Sequence, residues 1–137
     1  MIHFFRRHAA DDRRKPVPAR DFLDVCPTKV QATMLAVLDA VAAAPPPAFS
    51  GGGKWEAMHG RMSGFYEVRV DGPNRHHYRL FCVLERNGTE VGLGGPSIVL
   101  ITGREKAFLT KLSEADYEAV LRLGEEFRAR RPRSVAT

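Results

Sequence analysis

The sequence is poor in cysteine and has none of the short motifs of common metal, nucleotide or hydrolase sites. Cys26 and Cys82 lie far apart and form no Cys-x-x-Cys pair, so neither a disulfide framework nor a zinc site is expected. The glycines at 51–53 precede Lys54 without the spacing of a P-loop, and the HExxH and Ser–His–Asp patterns are missing. We therefore expect no metal and no cofactor, and two buried thiols in a reducing cytoplasm.

Long apolar runs are also missing. The most apolar stretch covers residues 34–44, contains Asp39 and falls short of the about 20 residues that a membrane-spanning helix needs. The mostly apolar residues 2–5 are followed by Arg6 and Arg7 rather than by the apolar segment of a secretory signal. These features predict a cytoplasmic protein with no membrane partner.

Basic residues are in excess, and their distribution is uneven. The chain has 137 residues with a net charge of +5, which suits one domain over residues 1–137. Its first 20 residues carry six basic and two acidic side chains, so they form a basic N-terminal extension. Residues 45–53 (PPPAFSGGG) are typical of a Pro/Gly-rich loop. The basic excess is compatible with a polyanionic partner such as RNA or DNA, and equally with charges that only maintain solubility.

Hydrophobic spacing predicts a small α+β domain. Apolar side chains recur with the period of a helix between Pro27 and Pro45, and Pro45 forbids continuation. After residue 64 the period changes to two, which indicates strands, and Gly103 is expected to end the last of them. The predicted elements are a strand at 2–7, one or two helical turns at 19–25, a helix from Pro27, strands at 64–70, 76–85 and 97–102, and a helix that Ser113 and Asp116 would cap.

The two middle strands predict a pair of like charges. If they form a hairpin centred on Asn74, Arg69 lies directly opposite Arg79. Like charges opposite each other destabilise a sheet, and two convergent guanidinium groups suit a phosphodiester. In the alternative interpretation, Glu67 and Glu85 neutralise the two arginines as surface ion pairs.

Three segments in this order resemble a known family. Residues 65–70 (FYEVRV), 77–81 (HYRLF) and 98–106 (IVLITGREK) are similar to strands of the RelE/ParE superfamily of bacterial type II toxins, in its HigB-like, phage-derived branch. The resemblance implies a small, twisted, mostly antiparallel sheet with helices packed on one face. It also implies endoribonuclease cleavage of mRNA in the ribosomal decoding site, with the 2′-hydroxyl as nucleophile. A cognate antitoxin, expected to be a helix-turn-helix protein, would cover the basic face.

The resemblance and the local chemistry together select the candidate site. Arg79 matches the arginine of the family's Tyr-Arg strand, Arg69 a basic residue of the preceding strand, and Lys106 one of the terminal lysines. Among the histidines, we expect His59 to be the proton acceptor, with His76 or His77 as the next choices. The expected RNA-binding residues are Lys54, Arg61, Arg104 and Lys111.

The sequence departs from the family pattern at the end of the last strand. Glu105 precedes Lys106 where the family has a lysine pair, and Lys111 lies near the place of a tyrosine that RelE carries. A non-enzymatic toxin of the ParE type that binds DNA gyrase, and a degenerate relative that only binds nucleic acid, are the alternatives. The Arg69/Arg79 pair favours the RNA-cleaving function, because phosphate recognition needs both charges.

Overall fold

The computed structural model describes residues 1–44 and 54–136. The predicted loop at 45–53 lies outside these residues. The elements in chain order are β1 (Ile2–Phe4), α1 (Pro18–Val25), α2 (Thr28–Ala43), β2 (Trp55–Ala57), β3 (Phe65–Gly72), β4 (His76–Glu85), β5 (Ser97–Ala107) and α3 (Glu114–Arg128).

The five strands form one sheet in the order β1-β5-β4-β3-β2. β1 is parallel to β5, and the three other pairs are antiparallel. The prediction of a mostly antiparallel α+β domain is therefore confirmed. The short β2 was not predicted, because three residues are too few to show a period of two. The first strand ends at Phe4 and not at residue 7 as predicted, although Phe5 still forms a bridge with Val135.

The β3–β4 hairpin has the register that the sequence predicted. Arg69 is opposite Arg79, and each of the eight pairs has the same centre at Asn74. Asn74 and Arg75 close the hairpin with φ values of 60° and 57°. Tight hairpin turns require such left-handed residues because their twist then matches that of the strands.

Helices pack on both faces of the sheet, so the expectation of helices on one face is wrong. α1 and α2 cover the face that carries Leu80 and Leu100, whereas α3 covers the face that carries Phe81 and Ile101. The reason lies in the central strands β4 and β5, which present large apolar side chains alternately to both sides. A sheet with two apolar faces needs a layer of cover on each.

β5 continues through Gly103, which was predicted to end it. The strand extends to Ala107 and pairs with the first half of β4. The ring of Phe22 from α1 lies so close that a Cβ at position 103 would be 2.1 Å from its Cδ2 atom. Glycine is needed here for the close approach of a helix and not for a turn.

The start of α3 agrees with the sequence. The Ser113 hydroxyl accepts a hydrogen bond from the amide of Asp116, and the Asp116 carboxylate accepts one from the amide of Ser113. This reciprocal pair is a capping box, and it fixes where the acidic first turn of α3 lies. Within residues 1–44 and 54–136, no helix is long and apolar enough to cross a membrane.

Candidate functional site

Three arginines form a row across three adjacent strands. Arg79 on β4 is opposite Arg69 on β3 and opposite Arg104 on β5. Paired residues of a sheet point to the same side, so all three lie on the face covered by α3. Neighbouring strands are about 4.8 Å apart, which makes this row a dense line of positive charge.

Glu67 bridges two of these arginines. Its carboxylate accepts two hydrogen bonds from Nη1 of Arg79, at 3.1 and 3.2 Å, and lies 3.6 Å from Nε of Arg69. The Glu67 side chain is 8% exposed and that of Arg79 is 14% exposed, so this pair is largely buried. The alternative interpretation correctly names Glu67 as a partner of both arginines, but the Glu67–Arg79 pair is largely buried and is not a surface ion pair. That interpretation is wrong for Glu85, which pairs with Arg133 at 2.9 Å.

The two outer arginines have further acidic neighbours. Arg69 Nη1 is 3.3 Å from the Glu56 carboxylate. Arg104 Nε is 3.4 Å from the carboxylate of Asp116 on α3, and its Nη1 donates to the Gly103 carbonyl at 2.8 Å. Each guanidinium is held in position by a neighbouring group. The arginines are therefore oriented before any ligand arrives.

Lys106 belongs to the same basic cluster. Its ammonium donates to the carbonyl of Thr110 at 2.5 Å. Partial burial, followed by the positive charges of Arg79 and Arg69, holds the pKa of Lys106 below its ordinary value. Lys111 adds a further positive charge close enough to lower the same pKa. Three other predicted site residues, Arg79, Arg69 and Lys111, thus lie close enough to Lys106 to lower its pKa.

A cavity of about 550 Å³ opens beside this cluster, at the edge of β3. Its basic lining residues are Lys54, Arg69 and Arg79, and its one lining carboxylate is Asp71. β2 covers only the first part of β3, and the cavity lies beside the uncovered end of that strand. The cavity lining therefore carries more basic than acidic groups, although Glu67 and Glu56 pair with the two lining arginines.

His77 is the histidine that lines this cavity. Its Nδ1 atom forms a short hydrogen bond with the Asp71 carboxylate. Its ring stacks on Phe108, with the ring centroids 4.2 Å apart and the planes 20° from parallel. The register places His77 directly opposite Lys106, one step along the same face from the arginine row.

The structure does not bring His59 or Arg61 to the basic cluster. His59 is exposed and precedes a short turn at Gly60–Met62. That turn adjoins Phe65 at the start of β3, and Arg69 is four residues further on, about 13 Å along the strand. Arg61 Nη1 is 2.6 Å from the carboxylate of Glu114 at the start of α3.

His76 lies on the opposite face of the sheet, within 3.6 Å of the Glu105 carboxylate. Tyr78 shares that face, where burial and the neighbouring Glu105 raise its pKa. α1 and α2 cover this face, whereas the basic cluster lies on the other face of the sheet. Of the three histidines that the sequence offered, His77 alone shares a face with the arginine row.

Two residues of this site were not predicted. The sequence pattern does not single out Asp71, although the assumed hairpin register already places it opposite His77. Phe108 follows the predicted end of β5, and its stacking depends on the continuation of that strand. The first residue could have been found from the register, and the second could not.

The two cysteines lie apart from this cluster. Cys82 is buried, and burial raises the pKa of its thiol. Cys26 is only half-buried, and burial with the charge of Glu105 raises its pKa to about 11. Among the residues that the structure describes, no group of three His, Cys, Asp or Glu side chains is arranged to hold a metal ion.

Comparison with known proteins identifies no relative of this chain. No protein-family model, no curated protein sequence and no solved structure matches the chain.

Proposed function

We propose that this chain is the toxin of a type II toxin–antitoxin pair and a ribosome-dependent endoribonuclease that cleaves mRNA. The observation that carries the proposal is the row of Arg69, Arg79 and Arg104 beside Lys106 and the basic cavity. The resemblance of three strand segments to the RelE/ParE superfamily supplies the substrate and the cellular setting, which is the cytoplasm.

The arrangement suits RNA cleavage by the 2′-hydroxyl. In that reaction the O2′ atom attacks the adjacent phosphorus, and negative charge grows on the non-bridging oxygens before the bond to O5′ breaks. Cations fixed in advance stabilise this charge more effectively than water does. Arg79 is well suited to the task, because its side chain is only 14% exposed and its electrostatic interactions are therefore weakly screened.

Glu67 keeps Arg79 and Arg69 in a defined geometry. Without it, the like charges of Arg69 and Arg79 would push the side chains apart. The carboxylate occupies one side of each guanidinium and leaves other N–H groups for a ligand, since arginine has five donors. We therefore assign Glu67 to positioning and the two arginines to phosphate binding.

The basic cluster is the surface at which we expect the partners implied by the resemblance to bind. mRNA in the ribosome is the substrate of the proposed activity. A cognate antitoxin, expected to be a helix-turn-helix protein, would inhibit by covering the cluster with a complementary acidic segment. We expect both partners to bind the same surface, so a bound antitoxin would exclude RNA.

Induction of the chain alone in a bacterial host tests this function. We expect growth arrest, relief by co-expression of the protein encoded beside it, and a halt in amino-acid incorporation before thymidine incorporation. Normal growth with confirmed expression of folded protein would contradict the toxin function. An earlier halt in thymidine incorporation, with intact mRNA, would instead favour a ParE-like toxin that binds gyrase.

A further inference from the structure

A side chain that transfers a proton must lie beside the arginines that would hold the phosphate. On one face of a sheet, side chains two residues apart are about 7 Å from each other. His77 and Arg79 have this relation on β4, and both line the same cavity. The ring of His77 can therefore reach the ribose next to a phosphate bound at Arg79.

The His77 ring is fixed at two points. Asp71 engages Nδ1, and Nε2 has no hydrogen-bond partner among the residues that the structure describes. Phe108 stacks on the ring, and the guanidinium carbon of Arg75 lies 5.7 Å from the Phe108 ring centroid. The amide of Phe108 also donates to the Arg75 carbonyl at 2.8 Å. The hairpin turn and the end of β5 are thereby joined around His77.

The turn and the loop that follows β5 both contain strained backbone. Arg75 has a φ of 57° and Leu109 a φ of 64°, values that residues with a side chain rarely adopt. Such conformations persist where the surrounding structure enforces them, and they cluster at functional sites. Here both residues adjoin the His77–Phe108 stack.

We propose that His77 is the catalytic base of RNA cleavage at this site, with Asp71 and Phe108 as its positioning residues and Lys106 as the acid. This inference rests on the proposed function. Nε2 of His77 takes the proton from the 2′-hydroxyl while O2′ bonds to phosphorus. The bond from phosphorus to O5′ breaks, and Lys106 gives its proton to O5′. The products end in a 2′,3′-cyclic phosphate and a 5′-hydroxyl, and water returns each protein group to its starting state.

The charged groups around His77 suit these roles. Asp71 stabilises the imidazolium that forms when His77 accepts a proton. Lys54, Arg69 and Arg79 face the same cavity and attract the phosphate. Lys106 lies opposite His77 on β5. Because burial and the nearby arginines lower the pKa of its ammonium, Lys106 releases a proton more readily than an exposed lysine.

Single-turnover cleavage on mRNA-programmed ribosomes tests the assignment. We expect His77→Ala to reduce the rate by about 10²–10⁴-fold, with ribosome binding unchanged. Added imidazole should restore part of the rate, and the acidic limb of the pH–rate profile should disappear. His8→Ala is the matched control, since His8 is an exposed loop histidine, and it should cleave like the wild type. His77→Gln provides a second variant whose amide can still pair with Asp71.

The acid is tested with a substrate that has sulfur in place of O5′ at the cleavage site. A thiolate leaves without protonation, so this substrate should restore cleavage by Lys106→Met but not by His77→Ala.

The possible failures are distinguishable. Cleavage at the wild-type rate by both His77 variants, together with loss of cleavage in Arg79→Ala, would overturn the assignment of His77 and leave the proposed function standing. Loss of activity in His77→Ala without any response to imidazole or pH would make His77 structural and also overturn it. Intact RNA after incubation with the wild-type protein would overturn both proposals.

Discussion

At the scale of single residues, Arg79 combines a structural and a proposed functional role. Its guanidinium is largely buried beside the buried Glu67 carboxylate. Removing one partner of a buried ion pair leaves the other charge uncompensated. The sequence shows the like charge of Arg69 opposite Arg79, but it does not show that Glu67 is buried beside Arg79.

We predict that Arg79→Ala abolishes cleavage and also lowers the free energy of unfolding by about 3 kcal/mol. Chemical denaturation and single-turnover cleavage measure the two effects. The double variant Arg79→Met, Glu67→Met removes both charges and should recover most of the stability without any activity. Recovery of cleavage in the double variant would show that Arg79 serves only to neutralise Glu67.

The lowered pKa of Lys106 predicts how the free energy of unfolding depends on pH. Its pKa is lowered in the folded protein, so the unfolded chain binds this proton more tightly. The free energy of unfolding should therefore rise with pH between the folded pKa and the unfolded value of about 10.4. Lys106→Met should flatten this rise and increase the melting temperature at pH 7, where the ammonium is repelled by Arg69 and Arg79. Parallel pH profiles for the two proteins would contradict this electrostatic account.

At the scale of elements, the end of β5 decides the geometry of the site. Gly103 lets β5 pass under Phe22 of α1 and continue to Ala107. This continuation places Arg104 and Lys106 beside β4 and leads to Phe108. A strand that ended at Gly103, as the sequence suggested, would leave the arginine row with two members.

We predict that Gly103→Ala lowers stability by about 1–3 kcal/mol, because the new Cβ would overlap the Phe22 ring. The double variant Gly103→Ala, Phe22→Ala should be no less stable than Phe22→Ala alone, since the truncated side chain leaves room for the methyl group. Thermal unfolding of the wild type, the two single variants and the double variant completes this double-mutant cycle. If the two losses of stability were additive, Gly103 would be needed for a reason other than its contact with Phe22.

At the scale of the whole molecule, the basic residues differ in what surrounds them. Arg61 and Arg133 form ion pairs with Glu114 and Glu85 and do not line the cavity. Lys54 lines the cavity, and Lys111 is close enough to affect Lys106. Binding of RNA should therefore depend on Lys54 and Lys111 as well as on the arginine row.

We predict that affinity for single-stranded RNA falls with salt, and that Lys54→Gln and Lys111→Gln each reduce the log–log slope by about 0.7. Arg86→Gln is the control. Arg86 follows the opposite end of β4 from Arg79, about 23 Å along the strand, and its loss should not change the slope. Equal effects of all three substitutions would indicate that RNA binds without a defined site.

The sequence predicted the α+β class, the hairpin register and the arginine pair, because these depend on local periodicity and on one symmetric turn. It did not predict that helices cover both faces, since that depends on how distant segments pack. The distance of His59 from the arginine row was not predicted either, because it also depends on how segments pack. Position along the chain placed His59 near Arg61, whereas the hairpin register already places Asp71 and His77 beside the Arg69/Arg79 pair.

Mapping the ends of an mRNA after exposure to the purified protein on translating ribosomes tests the central claim most directly. The account predicts discrete cuts with 5′-hydroxyl and 2′,3′-cyclic phosphate ends for the wild type, and no cuts for Arg69→Ala or Arg79→Ala. Full-length mRNA with the folded wild-type protein, or cuts that persist in the Arg79→Ala variant, would contradict it.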